Sequence, residues 1–267
     1  MLNFCSRIGC ILKAMINKAN SNIFTEENVK TEEIKEQVEE LKPINITIHK
    51  PLYEYAHGKK FKTNPTWIVV HYTGCANVSA KSMCKSMKNN SSASSHFYID
   101  EKDIYAAVPL KYIAWHVGDG KCKQPEAYNK KSLEELSIYN AKDWRYDLAA
   151  SNHLKWIAEG NDFSGNSQSI GVDICVKKKN TDTKKATDED WYFLDEAVEN
   201  TAKVVAYLAK EYSIDVSHII RHSDSTGKLC PRPFVTILKG EVNDEKWESF
   251  KGKVAEYMKH DIIIKNV

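Results

Sequence analysis

The sequence predicts an α/β fold: a central mixed β-sheet flanked by helices, with an N-terminal helical arm and a helical insertion. Three observations predict it. Short β-branched segments, "WIVVHY" (67–72), "SIGVDICV" (169–176) and "SHIIRH" (217–222), alternate with amphipathic ones. One stretch, 188–212, repeats apolar residues every three or four positions. With 267 residues, 42% of them hydrophobic, the chain can fill a core, yet no apolar run approaches the ~20 residues that span a bilayer.

Along the chain, residues 1–43 read as an arm. Its opening "MLNFCSRIGCILKAMINKA" is interrupted by Arg7 and Lys13 and is followed by no small-x-small cleavage site, which makes a poor secretory signal. The acidic "EENVKTEEIKEQVEEL" (26–41) carries Ile34, Val38 and Leu41 at helical spacing; Thr25 suits the N-cap and Pro43 stops the helix. The main domain is expected over 44–260. Within it, a short helix follows Ser79 with Met83 and Met87 inward, and "HFYID" and "DIYAAV" form a hairpin about Glu101-Lys102. Residues 119–165 fit the alternation worst and are expected to be an insertion that walls a cleft. The helix of 188–212 presents Trp191, Leu194, Val198, Ala202, Val205, Leu208 and Tyr212. A last helix, 243–259, presents Trp247, Phe250, Val254 and Met258, and 261–267 is left as a tail.

A formal charge of +2, with lysines scattered among acidic residues, gives no basic stripe for nucleic acid. Seven cysteines (5, 10, 75, 84, 122, 175, 230) form no C-x-x-C pair and leave one over, which argues against a disulfide scaffold. Most are expected to behave as small buried hydrophobes.

Cys230 is different. The stretch "IIRHSDSTGKLCPRPF" sets His222, Lys228 and Cys230 in a loop of small polar residues. Imidazole and thiolate are donors that zinc takes readily, but the paired cysteines of a structural zinc site are missing. The loop is therefore either a turn with incidental residues or part of a three-ligand site with one open position. His218 and His222 stand four apart on a strand-like segment, ~13 Å in extended chain, too far for one ion. No Glu follows His218, which excludes the metalloprotease helix pattern. His222, at the strand end, is the better ligand. Lys228 and Cys230 would project to one side of an extended segment, ~7 Å apart. His71, closing "WIVVHY" before the Thr73-Gly74 turn, is the best third ligand, although a lone strand-end His is more often only hydrogen-bonded. His96 reads as a satisfied core histidine, and Tyr98 and Trp115 as packing residues.

"VVHYTG", "SSHFYIDEKDIY", "AWHVG", "SIGVDI" and "RHSDSTGKLCP", in this order, resemble the zinc-dependent N-acetylmuramoyl-L-alanine amidases, a family that includes phage endolysins and animal peptidoglycan-recognition proteins. The resemblance covers roughly 44–260. It implies the amidase/peptidoglycan-recognition-protein-like sheet fold and one Zn2+ held by His71, His222 and Cys230, with water in the fourth position. It implies that Asp173 stands where many members carry a Glu acting on that water, and that Lys228 is the lysine beside the metal. His116 matches a histidine of the substrate groove, and Thr73 and Asn166 are assigned to substrate binding with it. Asp is one methylene shorter than Glu, and Ser95 occupies the position where some members use a Tyr.

The implied reaction is hydrolysis of the amide joining N-acetylmuramic acid to L-alanine of the stem peptide, with bacterial peptidoglycan as partner. A non-catalytic peptidoglycan-binding module and a zinc peptidase acting within the stem are the alternatives. In the implied mechanism Lys228 stabilises the oxyanion, so Lys228→Ala should cost ~100-fold in rate. Action at the bacterial cell wall, without a clear leader, implies cytoplasmic accumulation and phage-type release, or non-standard export.

Overall fold

The computed structural model describes residues 41–117, 163, 165–180, 190–226, 230–238 and 241–267. The expected arm helix (26–41, apart from Leu41), nearly all of the 119–165 insertion, and Lys228 lie outside the described residues.

Strand β1 (Ile44–Ile48) alternates, burying Ile46 and Ile48. Strand β2 (Trp67–Tyr72) is buried along almost its whole length, as a strand between two parallel neighbours must be. Helix α1 (Ala80–Met87) starts at Ser79, whose side chain accepts from the Ser82 N–H. Met83 is buried and Met87 packs beside it, as the spacing predicts. Strands β3 (Phe97–Ile99) and β4 (Ile104–Ala106) form the expected antiparallel hairpin. Buried Asp100 fixes its turn: one carboxylate oxygen accepts from Lys102 and Asp103 N–H, the other from Ala80 N–H at 2.7 Å. One side chain thus ties the hairpin to the start of α1.

Strand β5 (Ser169–Ile174) follows, then the two-residue strands β6 (Lys177–Lys178) and β7 (Trp191–Tyr192), which pair antiparallel. Helix α2 (Asp195–Tyr212) is shorter at its start than the 188–212 periodicity predicts. Trp191 and Leu194 continue the apolar repeat by coincidence. Leu194 has extended backbone (ψ 144°) and Asp195 and Glu196 occupy the first turn, where the helix dipole favours carboxylates. Trp191 belongs instead to a strand, with the Lys178 ammonium 5.0 Å and the Arg232 guanidinium 5.3 Å from its ring centre. The helix ends at Ser213 in left-handed conformation, its N–H returning to the Ala209 and Lys210 carbonyls.

Strand β8 (Ile219–Arg221) leads into the short helix α3 (His222–Thr226). Strands β9 (Thr236–Leu238) and β10 (Glu241–Asn243) pair antiparallel, so the expected final helix loses Asn243 to a strand; Asp244 is the N-cap and α4 runs Glu245–Met258. Residues 261–267 are more than a tail: strand β11 (Ile262–Asn266) pairs in parallel with β1, Ile262 and Ile264 packing against the core.

The main sheet has the order β4-β3-β5-β2-β8, parallel except at the β4 edge. Strand alternation divides its residues between two faces. Ile68, Val70, Ile170, Val172 and Ile174 join the core under α2 and α4, where Leu208, Phe250 and Val254 meet them. The opposite face shows His71 on β2, Tyr98 on β3, and Ser169, Gly171 and Asp173 on β5. The side chains that meet at the site, His71, Tyr98 and Asp173, are all on that second face, whereas Arg221 on β8 is in register with Val70 on the first. Among the described residues no helix is long and apolar enough to cross a membrane.

Candidate metal centre

At the C-terminal ends of β2 and β8, three donors meet. His71 is 4% exposed, His222 6% and Cys230 3%. His71 Nδ1 lies 3.0 Å from His222 Nδ1 and 3.8 Å from Cys230 Sγ, and all three donor atoms fall within 4.8 Å of one another. Bond lengths to tetrahedral zinc imply donor separations of ~3.4 Å for N and N and ~3.6 Å for N and S. The residues therefore fit the ion. Two imidazole nitrogens this close also require a proton or a cation between their lone pairs.

Each donor is positioned by a different device. Parallel pairing of β2 with β5 and β8 sets His71, opposite Asp173 in register. His222 begins α3, where Ser225 Oγ donates to its carbonyl at 2.9 Å. The Cys230 carbonyl accepts from Ser223 N–H at 2.7 Å, which ties Cys230 to the first turn of α3. Arg221 braces this side: its guanidinium donates to Asp224 at 2.9 Å, to Asp244 at 2.5 Å and to the Phe234 carbonyl at 3.1 Å, and lies 5.5 Å from the centre of the Trp247 ring. Burial works against its charge, but Asp224 and then Asp244 outweigh it and hold the guanidinium above its ordinary value.

The donors open on a cavity of about 270 Å³ lined also by Asp173, Thr73 and His116. Tyr98, read from sequence as packing, lines it too; burial and then the nearby Asp173 charge raise its phenol above the usual range. Trp115 lines the same wall. Thr73 Oγ1 donates to the Cys75 carbonyl at 3.2 Å. Asn166 is not among the lining residues. It is 2% exposed, and its carboxamide oxygen accepts from the His116 and Val117 N–H groups at 2.9 Å each. Its place is under the His116 loop, which corrects the expectation of a groove contact.

His116 touches the metal corner directly: its Nδ1 is 2.9 Å from His71 Nε2, and its Nε2 is 3.3 Å from both the carbonyl oxygen and Oγ of Ser169. Burial, then neighbouring His96, lowers its pKa to about 3. His96 is the satisfied core histidine expected. It donates from Nε2 to the Tyr112 carbonyl and accepts at Nδ1 from Gly171 N–H, and burial lowers its pKa to about 4. His218 packs edge-on against Trp67, 4.2 Å between ring centres, apart from the three donors. Cys84 and Cys175 are fully buried free thiols, as expected of small hydrophobes.

Two residues behind the site went unread in the sequence, Ser169 and Gly171. The available signal was a glycine inside a strand, which marks a close approach.

A family model described as N-acetylmuramoyl-L-alanine amidase matches residues 61–233. Among curated relatives, the N-acetylmuramoyl-L-alanine amidase CwlL of Bacillus licheniformis is 27% identical over 176 residues, covering 63% of this chain and 36% of its own. CwlA of Bacillus subtilis (strain 168) is 28% identical over 166 residues, covering 62% and 42%. The chain thus spans less than half the length of these relatives. Among solved structures, the solution structure of the PlyG catalytic domain has a TM-score of 0.50 at 23% identity, covering 80% of this chain and 96% of that one. That likeness shows a shared fold.

Proposed function

The chain belongs to the N-acetylmuramoyl-L-alanine amidase family, and from that premise we propose that it cleaves bacterial peptidoglycan between N-acetylmuramic acid and L-alanine, using one zinc ion held by His71, His222 and Cys230. One observation carries the reading. Two imidazoles and a thiolate from separate stretches of chain converge, buried, at the edge of a cavity.

Zinc bound there would lower the pKa of a water to ~7 and polarise the scissile carbonyl. The chain's own residues do the rest. Asp173, opposite His71 on the neighbouring strand and in the same cavity, takes the proton of the attacking water and delivers it to the departing alanine nitrogen. Its carboxylate, shorter than Glu, works from a strand whose register is fixed on both sides. Lys228 supplies a positive charge to the oxyanion. Thr73 and His116 form cavity walls on which the substrate rests.

The test is digestion of purified cell wall by the full chain with zinc. New L-alanine amino termini without new reducing sugars support the amidase of an endolysin or autolysin. New termini deeper in the stem indicate a peptidase, and bound protein on uncut wall indicates a binding module. Either of the last two overturns the proposal.

A further inference from the structure

His71 has two ring nitrogens that face opposite ways. Nδ1 looks toward His222 and Cys230, and Nε2 toward His116 Nδ1 at 2.9 Å. The protons in this row can be assigned from its far end. A carbonyl oxygen only accepts, so His116 Nε2, 3.3 Å from the Ser169 carbonyl, carries hydrogen. Ser169 Oγ, equally near, donates to the Gly165 carbonyl at 2.9 Å and so has only lone pairs to offer that nitrogen. Neutral His116 then has a bare Nδ1, which accepts from His71 Nε2–H. That leaves His71 Nδ1 with its lone pair directed at the metal corner.

A second observation, independent of hydrogen bonding, points to the same ring. A β-carbon on Gly171 would lie 2.6 Å from His116 Cγ and 2.8 Å from Nδ1, distances that β-carbons do not tolerate. The ring is pinned at both nitrogens and its backbone N–H is held by Asn166. It cannot swing aside as the end of a flexible side chain could. Strand β5 therefore offers, at alternate positions of one face, the acceptor for His116 (Ser169), the space for its ring (Gly171) and the carboxylate of the cavity (Asp173).

We infer that His116 is a positioning residue for His71: it fixes the Nε2–H tautomer and ring orientation that present Nδ1 to the metal, and Gly171 is glycine to admit it. The inference rests on the zinc reading above and assigns His116 a task distinct from contact with substrate. Ligand-orienting partners of this type govern metal affinity as much as rate.

The experiment uses the full chain and measures zinc affinity by chelator competition, alongside kcat and KM on cell wall. Ring 15N spectra of the zinc-loaded protein report the tautomer of His71. His116→Phe and Gly171→Ala should each weaken zinc binding by about 10- to 100-fold. His116→Gln, whose carboxamide can accept from His71 and donate to Ser169, should return to within about threefold of the wild type. The wild-type spectrum should show His71 protonated at Nε2. His116→Phe with wild-type zinc affinity and a raised KM would overturn the inference and leave His116 a substrate wall alone; a bare Nε2 on His71 would overturn it too. A wild-type chain that binds no zinc would overturn the parent reading as well. Should Gly171→Ala fail to fold, the two His116 variants still decide.

Discussion

The two sides of the metal corner are built differently. On one side His71 and Asp173 sit in the middle of a parallel sheet, and main-chain pairing with neighbours on both flanks sets their positions. On the other, His222 and Cys230 leave the sheet at the end of β8 and depend on a few specific bonds: Ser223 to the Cys230 carbonyl, and Arg221 to Asp224 and Asp244. A sheet distributes its constraint over many equivalent hydrogen bonds, whereas the loop concentrates it in one guanidinium. Substitutions should therefore separate by side: chemistry without unfolding on the strand side, stability and metal affinity together on the loop side.

The largest effect is expected where the sides meet. Cys230→Ser should lose zinc and lower wall cleavage by about four orders of magnitude, and His71→Ala should do the same from the other side; metal content and released L-alanine termini measure it. Retained zinc with full activity would break the comparison at its root. Next, Asp173→Asn should cut kcat by about 10³-fold with zinc affinity and melting temperature near wild type, because only proton transfer is lost. Arg221→Met should cost about 3 kcal/mol in urea unfolding, since it removes the charge opposite the largely buried Asp224 carboxylate and the guanidinium that donates to the Phe234 carbonyl. It should also weaken zinc, and unchanged zinc affinity would show that α3 orients His222 without the clasp.

The last effect concerns pH and is expressed only in acid. His96, at about 4 in the fold against 6.5 in the open chain, stays neutral while the unfolded state takes up a proton. Its contribution is therefore whole above pH 6.5 and is lost as pH falls through 4. At ~1.4 kcal/mol per pH unit the loss approaches ~3 kcal/mol. Thermal unfolding between pH 7 and 4 should show a flatter decline in His96→Gln than in the wild type.

Strands and the last helix were legible because "WIVVHY" and "SIGVDI" are β-branched runs buried almost throughout, and Trp247, Phe250 and Val254 recur at helical spacing. The start of α2 was not: Trp191 and Leu194 sit at helical spacing, but a tertiary contact with Lys178 and Arg232 claims the tryptophan for a strand. The metal corner is legible only through its motifs. His71 and His222 lie 151 residues apart, and only the parallel pairing of β2 and β8 brings them to 3.0 Å. Asn166 shows the reverse difficulty. Assigned from sequence to substrate binding, it has its oxygen taken by two backbone N–H groups, a use that nothing in the linear sequence announces.

The alternation of β5 makes it unforgiving of insertion or deletion. Slipping it by a single position would turn Ile170, Val172 and Ile174 outward into the cavity and drive a hydroxyl and a carboxylate into hydrocarbon. Libraries made by random length change should return this strand intact in every surviving clone, even where single substitutions along it are accepted.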